Sequence, residues 1–482
     1  MRGFFVDMDS LPLGSVYLNG RWTAPETRET LPVENPATET EIARVPACGA
    51  ADVRRAVTAA GAAGAGWAAT DPADRAGVLL ALRDALAGHH EDMAQLITRE
   101  MGSPLTFSRR VQAGLPSKVL EGFAAALVAD PGEERVGHSL VLREPAGVVG
   151  AITPWNYPLH QVIAKVGAAL AAGCTVVLKP SELAPLSAYF LTTLVDGLGL
   201  SPGVFNLVPG RGTEAGRALA ADDGVDVVSF TGSLRAGREV GSVAGGGVKR
   251  VCLELGGKSA TVVLPDADLV TAVTDGVHSA LHNAGQTCSA RSRLLVPRSR
   301  MDEAVDVVRS VLAGYVPGDP TDPGCRLGPL VSRAQRDRVR EFLRAAEAGG
   351  ARRVAGPPQD EVPARGHYVA ASAWAGVPAD APLAQEEVFG PALVLLPFED
   401  EADAVRLANS TPYGLAATVW SADPDRATAV ARRLHAGQVD VNDAAFNPAA
   451  PFGGYGVSGV GRELGAHGIR EFQETKSVQL PA

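Results

Sequence analysis

Residues 148–179 have the sequence VVGAITPWNYPLHQVIAKVGAALAAGCTVVLK, and this stretch decides the fold. Residues 148–152 predict a buried strand, 159–172 a helix, and 175–178 a second strand rich in β-branched side chains. Downstream, the same alternation predicts helices at 186–198, 214–221 and 235–244 and strands at 204–208, 225–230 and 250–253. Alternation at this density predicts an α/β fold, a parallel sheet with helices on both faces and ligands beyond the carboxyl ends of its strands.

The flanking sequence predicts a helical region before this series and a second α/β unit after it. Residues 51–129 are alanine-rich and have helical spacing, whereas the first 50 residues are rich in loop formers. Residues 121–140 interrupt the first series and predict a segment that projects near 140–143, where it can pair with a partner chain. After Gly256-Gly257, the pattern predicts helices at 267–283, 301–313 and 333–348 and strands at 293–296, 392–396 and 416–419.

Length and charge restrict the class of protein. The 482 residues are about three times a ~150-residue domain, so two or three structural units are expected. Apolar residues make up 46% and charged residues 20%, which excludes wholesale disorder and a fibrous array. The 44 basic and 54 acidic side chains leave a net charge of −10, which disfavours a nucleic-acid partner.

Further patterns concern the membrane, secretion and metals. The most apolar stretch, 162–178, contains Lys165, so no membrane span is expected. Residues 1–7 have too short an apolar run, and an acid too early, for a secretory signal. The five cysteines include no C-x-x-C pair, which disfavours a disulfide scaffold or zinc site and favours a reducing cytoplasm. The nine histidines do not group into a metal site.

Two motifs place reactive groups on turns. In G-Q-T-C-S, residues 285–289, Cys288 follows a predicted helix and precedes a strand, so backbone N–H groups can stabilise a sulfur anion. The alternative is a small buried thiol. In T-P-W-N-Y-P, residues 153–158, two prolines hold Asn156 as a rigid donor of the kind that a developing oxyanion requires. The alternative is a structural asparagine in a rigid turn.

Other polar residues lie at predicted strand ends. Glu254, in L-E-L-G-G-K, can face a cleft with its pKa raised by burial, as a general base requires, or be a solvated strand-end carboxylate. Lys179 and Glu182 suit ribose hydroxyls or form a surface ion pair. Ser233 opens a helix and suits a pyrophosphate or acts as a plain N-cap. The glycine-rich segments at 210–216 and 459–465 do not match G-x-G-x-x-G and are weak signals.

In combination, these motifs are much more specific than any one of them. Together with E-V-F-G-P at 387–391, they resemble the NAD(P)-dependent aldehyde dehydrogenase superfamily in order and approximate spacing. The resemblance extends from about residue 15 to the carboxyl terminus. It implies a Rossmann-type NAD-binding domain of residues 1–122 and 146–255, a catalytic α/β domain of 256–457, and a small β oligomerisation arm of 123–145 and 468–482. It also implies a homodimer or homotetramer.

The resemblance assigns a role to each matching residue. Cys288 is the expected nucleophile, Asn156 an oxyanion-hole donor, Glu254 the general base, and Lys165 with Glu463 a buried proton-relay pair. The expected cofactor contacts are Ile152, Thr153, Pro154, Trp155, Lys179, Ser181, Glu182, Gly212, Phe230, Gly232, Ser233, Leu255, Glu387 and Phe389. The expected substrate tunnel consists of Tyr157, His160, Gln161, Ala164, Thr287, Ser289 and Phe446.

The implied reaction is oxidation of a small-molecule aldehyde to the carboxylic acid through a cysteine thiohemiacetal and a thioester. Glu254 argues for hydrolysis of the thioester over transfer to coenzyme A. Glu182 would repel a 2′-phosphate, which favours NAD over NADP, although NADP is possible. The alternatives are a specialised semialdehyde or coenzyme-A-acylating dehydrogenase and an inactive structural or binding member of the fold. Gly456 departs from the family pattern, which often has lysine there.

Overall fold

The computed structural model describes residues 10–130, 132–359 and 361–481 as two α/β lobes with a small β arm. Residues 1–9 lie outside the described residues, and so does the expectation about a secretory signal at 1–7. Within the described residues, no helix is long and apolar enough to cross a membrane.

The α-helices of the described residues begin and end at defined positions. In chain order they are α1 (Ala50–Ala68), α2 (Pro72–Gly88), α3 (His90–Met101), α4 (Leu105–Phe107), α5 (Gly114–Ala129), α6 (Pro158–Ala172), α7 (Leu186–Gly197), α8 (Arg217–Ala221), α9 (Leu234–Gly246), α10 (Leu269–Leu281), α11 (Met301–Leu312), α12 (Arg333–Ala348), α13 (Pro382–Gln385), α14 (Glu401–Ala408), α15 (Pro424–Ala431) and α16 (Gly465–Arg470). Short π-helical turns at Ser108–Gln112 and Gly212–Gly216 precede α5 and α8, and 3₁₀ turns lie at His282–Gly285 and Arg298–Arg300.

The strands form two large sheets and three small ones. In chain order they are β1 (Val16–Leu18), β2 (Arg21–Thr23), β3 (Thr30–Asn35), β4 (Thr40–Pro46), β5 (Glu133–Val136), β6 (Ser139–Pro145), β7 (Val148–Ile152), β8 (Thr175–Lys179), β9 (Phe205–Leu207), β10 (Val227–Thr231), β11 (Arg250–Glu254), β12 (Ala260–Val263), β13 (Arg293–Pro297), β14 (Arg352–Ala355), β15 (Ser372–Ala375), β16 (Ala392–Phe398), β17 (Tyr413–Gly414), β18 (Ala416–Trp420), β19 (Gln438–Val441), β20 (Tyr455–Gly456), β21 (Gly459–Val460) and β22 (Gln473–Gln479).

The first lobe contains the predicted parallel sheet. Its strand order is β2-β1-β9-β8-β7-β10-β11-β21, and the five strands from β9 to β11 are parallel. Strands β7, β8 and β10 are buried along their whole length, as expected for strands covered by helices on both faces. Helix α6 is almost wholly buried between this sheet and α5, because its alanines and Gly167 allow close packing against Phe123. This packing fixes the start of α6, where the T-P-W-N-Y-P turn ends.

The second lobe contains a sheet with the order β14-β15-β16-β13-β12-β18-β19, in which only β14 runs antiparallel to its neighbour. Its core is a separate cluster of buried apolar side chains. The predicted α/β class with two α/β units is therefore confirmed.

Two predicted helices differ from the structure. The segment predicted as a helix at 214–221 begins as a π-helical turn and becomes α-helical only from Arg217. The helix predicted at 267–283 ends at Leu281, because Asn283 and Ala284 adopt left-handed backbone conformations with φ of 54° and 57°. A left-handed residue cannot continue a right-handed helix.

The arm is a three-stranded sheet with the order β22-β6-β5. The segment predicted to project, near 140–143, is part of β6 and pairs along its length with β22 of the same chain. The predicted boundary at 122/123 falls inside α5, where Phe123 is fully buried against α6. The predicted boundary at 468 likewise falls inside α16. We propose that the arm consists of the residues after Ala129 up to 145 and those after Arg470, and that the division at 255/256 is as predicted.

Candidate active site

Cys288 lies on a turn that three consecutive left-handed residues shape. Asn283, Ala284 and Gly285 have φ values of 54°, 57° and 73°, and they reverse the chain after α10. A side chain at Gly285 would collide with the carbonyl of Gly390, so only glycine fits there. Left-handed conformations at Asn283 and Ala284 each cost on the order of 1–3 kcal/mol and persist only where the surroundings impose them. The surrounding structure therefore maintains strained backbone conformations in the segment that leads to Cys288.

Hydrogen bonds between the lobes hold Asn156 beside this turn. Its side-chain Nδ2 donates to the backbone carbonyl of Gln286 at 3.0 Å. Its backbone carbonyl accepts from Gln112 Nε2 and from Asn283 Nδ2, both at 2.9 Å. Gln286 is in turn anchored, because its Oε1 accepts from the backbone N–H of Val331. Asn156 is buried, and it lines the same cleft as Cys288. The structure therefore shows the rigidly held amide that the sequence predicts.

Cys288 is partly buried at the junction of two cavities. One is an apolar cavity of about 410 Å³, and the other is a cleft of about 140 Å³ between the lobes. Cys288 is the one described residue that lines both. Burial, and then the neighbouring carboxyl groups of Glu254 and Glu387, raise the pKa of its thiol. In this arrangement the resting sulfur is therefore a neutral thiol.

The apolar cavity contains most of the predicted tunnel residues. Tyr157, His160, Gln161, Thr287, Ser289 and Phe446 line it with Cys288. Ala164 is buried in the core and does not line it. The remaining lining residues, which the sequence interpretation missed, are Phe107, Arg110, Val111, Gly114, Leu115, Lys118, His282, Pro448 and Phe452. Six of these follow helical spacing from 107 to 118, a periodic signal that could have found them.

The histidines of the apolar cavity are neutral near pH 7. Burial, and then the positive charge of Lys165, lower the pKa of His160 to about 4. Burial likewise lowers the pKa of His282 to about 4, with Arg110 adding to the effect. Tyr157 shares a hydrogen bond of 2.8 Å with the hydroxyl of Thr287, which ties the turn before Cys288 to the first lobe. His160 is thus a cavity wall and is not protonated under ordinary conditions.

Glu254 ends β11 as predicted, but it does not line either cavity. Within the described residues, neither of its buried carboxyl oxygens has a hydrogen-bond partner. One of them lies close to Gly453, where a side chain would meet it at 2.5 Å. Burial, and then the neighbouring Glu463, raise its pKa well above the usual value. Glu254 is therefore a buried carboxyl that stays protonated to an unusually high pH, unlike the solvated strand-end carboxylate of the alternative interpretation.

The predicted relay pair lies next to Glu254. Lys165 is buried in the middle of α6, and its ammonium group forms an ion pair with Glu463. Both charges act on the Glu254 carboxyl, Glu463 raising its pKa and Lys165 lowering it. The structure therefore brings these three buried residues together.

The cleft between the lobes contains half of the predicted cofactor contacts. They are Pro154, Trp155, Gly232, Ser233, Leu255, Glu387 and Phe389. Glu387 accepts a hydrogen bond of 3.0 Å from the N–H of Gly257, yet burial raises its pKa to about 7. Trp155 and Phe389 meet edge to face at 5.4 Å between ring centres. Gln335 and Arg338 of α12 also line the cleft and had no sequence signal.

Other predicted cofactor contacts lie in or beside the core of the first lobe. Ser233 caps α9 by accepting from the N–H of Ala236, so the N-cap interpretation holds and the start of α9 lines the cleft. Ile152 and Phe230 are buried in the core below, and the backbone N–H of Thr153 donates to the carbonyl of Lys179. The predicted residues therefore divide into a group that lines the cleft and a group that is buried in the first lobe.

The predicted ribose contacts form a separate group. Lys179 is buried, and its Nζ lies 3.1 Å from Glu182. Glu182 also accepts from the N–H of Gly212 at 3.2 Å, and Ser181 caps the same turn through Leu183. Burial would raise the pKa of Glu182, but Lys179 and backbone donors outweigh burial and hold it below its usual value. Glu182 is therefore an ionised carboxylate.

Local contacts explain Arg291, which follows Cys288 by three residues, and Gly456. Arg291 is paired with Asp440 and donates to Ser279, so its guanidinium is already engaged. Gly456 has φ of 58°, and a side chain there would meet the carbonyl of Pro412 at 2.5 Å. The backbone of this chain therefore requires glycine at the position where the family often has lysine.

Comparisons with known proteins identify the family of this chain. The sequence profile of the Aldehyde dehydrogenase family matches residues 22–478. The 3-succinoylsemialdehyde-pyridine dehydrogenase of a Pseudomonas species is 44% identical over 469 residues, which cover 96% of this chain and 97% of that protein. A putative aldehyde dehydrogenase of Bacillus subtilis, DhaS, is 37% identical over 471 residues, covering 96% of this chain and 94% of that protein.

Solved structures are similar over the same length. A mutant of aldehyde dehydrogenase C from Pseudomonas syringae, in complex with NAD⁺ and octanal, has a TM-score of 0.96, 44% identity and 98% coverage of both chains. An aldehyde dehydrogenase of Mycobacterium tuberculosis, in complex with NAD⁺, has a TM-score of 0.95 and 40% identity, covering 97% of this chain and 98% of that one. The resemblance inferred from the motifs is thus confirmed, and this chain belongs to the aldehyde dehydrogenase family.

Proposed function

We propose that this protein oxidises an aldehyde to the carboxylic acid with NAD⁺ and that Cys288 is the nucleophile. The observation that carries the proposal is the position of Cys288, the one described residue that lines both cavities. A substrate carbon in the apolar cavity and a hydride acceptor in the cleft would both contact the same sulfur. Covalent capture followed by hydride transfer requires this juxtaposition.

The residues of the cleft fit a dinucleotide. The first turn of α9 presents its backbone N–H groups beside Gly232 and Ser233, which suits a pyrophosphate. Thr231 lines the same cleft, and its buried hydroxyl has no partner within the described residues. Lys179 and Glu182 would hold the adenosine ribose, and Glu387 the nicotinamide ribose. When bound, NAD⁺ supplies the acceptor for the hydride that leaves the substrate carbon.

Capture of the aldehyde uses Cys288 and Asn156. The thiol gives its proton to solvent water, and its sulfur bonds to the aldehyde carbon to form a thiohemiacetal. The aldehyde oxygen gains negative charge, which the Asn156 amide and the N–H of Cys288 stabilise. When the carbon loses its hydride, the C=O bond re-forms and a thioester remains on the sulfur. Asn156 is suited to this role because its amide is already held in place by the turn.

Hydrolysis of the thioester requires a base. We propose that the Glu254 side chain rotates from its position beside Gly453 toward Cys288 and takes a proton from water. The hydroxide then attacks the thioester carbon, the C–S bond breaks, and the departing thiolate takes a proton from solvent. Lys165 and Glu463, next to Glu254, would carry the excess proton away from the site.

A direct assay tests the proposed function. Purified protein with NAD⁺ and a panel of aldehydes should form NADH and an equal amount of carboxylic acid, without any need for coenzyme A. NADH absorbance measures the first product, and mass spectrometry of the extract measures the second. A requirement for coenzyme A would contradict the hydrolytic step. The absence of NADH with every aldehyde would favour a binding role for the fold.

Cofactor preference depends on the charge of Glu182. Because this carboxylate is ionised, it should repel a 2′-phosphate, and kcat/KM should be higher with NAD⁺ than with NADP⁺. Replacement Glu182→Gln should lower the NAD⁺/NADP⁺ ratio of kcat/KM about tenfold, since a loss of about 1.4 kcal/mol of discrimination corresponds to that factor. Glu399→Gln, at an exposed site in the other lobe, is the control. A wild-type preference for NADP⁺ would overturn this assignment.

We propose a homo-oligomer in the cytoplasm as the state of the protein. The arm supports this because its strand β5 is exposed along its whole length and both outer edges of the β22-β6-β5 sheet are unpaired within the described residues. An exposed sheet edge can pair with another chain. The cysteines support a reducing compartment, since all five are unpaired.

A further inference from the structure

One face of a single helical segment forms the floor of the apolar cavity. Phe107, Val111, Gly114 and Leu115 supply its uncharged part, and they recur at the spacing of a helix across the π-helical turn at Ser108–Gln112. Such turns occur at functional sites, where they re-aim neighbouring side chains. From 107 to 118 the floor extends roughly 16 Å if each residue advances about 1.5 Å. The cavity therefore suits an extended ligand.

Two cations lie on this floor. Arg110 and Lys118 both line the cavity and are exposed. Within the described residues, neither forms a hydrogen bond or lies within 4.0 Å of a carboxylate, although many arginines of this chain are ion-paired. Unpaired cations are notable in a chain with a net charge of −10. These two charges are therefore available to a ligand.

The rest of the cavity does not neutralise them. None of the described residues that line it is an aspartate or a glutamate. His160 and His282 carry no charge near pH 7, because burial lowers their pKa values to about 4. The other walls are largely aromatic and aliphatic, including Phe446 and Phe452. The cavity thus combines an apolar interior with two positive charges and a cysteine.

From this arrangement we propose that the substrate is an aldehyde whose aliphatic chain ends in a carboxylate, and that Arg110 and Lys118 bind the carboxylate. The inference rests on the proposed function and specifies its substrate class. The aldehyde carbon lies at Cys288, the methylene chain packs on the apolar floor, and the carboxylate pairs with the cations. Arg110 and Lys118 are then determinants of specificity and take no part in the chemistry.

A pair of aldehydes of equal length tests this proposal. We expect kcat/KM to be about tenfold higher for 8-oxooctanoate than for octanal, mostly through a lower KM, since one such charge contact corresponds to about that factor. In the double variant Arg110→Gln/Lys118→Gln, the 8-oxooctanoate/octanal ratio should fall about tenfold. Salt should raise the KM for 8-oxooctanoate between about 50 and 500 mM, because it screens exposed charges. The exposed Arg432 serves as the control, with Arg432→Gln leaving both values unchanged.

The outcomes separate this inference from the proposed function. If wild-type protein oxidises octanal at least as well as 8-oxooctanoate, and the double variant does not change the ratio, the inference fails while the function stands. If neither aldehyde is oxidised, the proposed function fails and the inference falls with it. Competitive inhibition by octanedioate that exceeds inhibition by octanoate, and that is lost in the double variant, would support the carboxylate contact independently of turnover.

Discussion

Replacing Cys288 by alanine is expected to lower kcat/KM for any aldehyde by at least about 10⁴-fold, because the covalent nucleophile is lost. The cleft proposed for NAD⁺ is lined mostly by other residues, so the dissociation constant for NAD⁺ should change little. NADH absorbance measures the first quantity and calorimetric titration the second. A large loss of kcat/KM with an unchanged dissociation constant for NAD⁺ would identify Cys288 as a catalytic group.

A matched cysteine provides the control for this variant. Cys325 is buried in the second lobe, where its thiol donates to the carbonyl of Gly318. It lines neither of the two cavities that Cys288 lines. Cys325→Ala should therefore retain wild-type kcat/KM. If Cys288→Ala retains a substantial rate, or if intact-protein mass spectrometry detects acyl adducts on that variant, the assignment of the nucleophile is wrong.

Replacing Glu254 by glutamine is expected to slow steady-state turnover by about 10²–10⁴-fold, the usual range for loss of a general base. The first turnover should survive as a burst of NADH, because capture and oxidation precede the hydrolytic step. The stalled thioester should be visible as an acyl adduct by intact-protein mass spectrometry. Thermal stability should be retained, since the Glu254 oxygens have no hydrogen-bond partners to lose within the described residues.

The same variant should change the pH profile. Burial raises the pKa of Glu254 and of the Cys288 thiol, so each group stays protonated to a higher pH than usual. Because both steps need the ionised form, the wild-type rate should rise as pH increases above neutrality. Glu254→Gln should remove the part of that rise that belongs to deacylation. A steady-state rate equal to wild type, with no burst, would contradict the role of Glu254.

The sequence predicts the sheet and the reactive residues because their signals are local. Strands β7, β8 and β10 are short runs of apolar residues that are buried on both faces, and such runs can be recognised without knowledge of the neighbours. Cys288 and Asn156 lie in turns defined by adjacent glycine or proline. The order of these elements along the chain is sufficient to indicate the family.

The features that the sequence does not predict depend on contacts between distant segments. Glu254 faces Gly453, about two hundred residues later, because the missing side chain leaves room for its carboxyl. Gln112 reaches the carbonyl of Asn156 only because α5 packs on α6. The left-handed backbone at Asn283 and Ala284 is imposed by the surrounding turn, and neither residue is a glycine that would indicate it.

The two cavities share one described residue, and this has a consequence for protein engineering. Since their walls are otherwise separate sets of side chains, the choice of aldehyde and the choice of dinucleotide can be altered independently. A library of variants confined to the cavity-lining residues between 107 and 118 should change the preference for aldehydes without changing the preference for the dinucleotide. In natural evolution, the same separation allows the preference for aldehydes to change while the cysteine and the dinucleotide cleft stay the same.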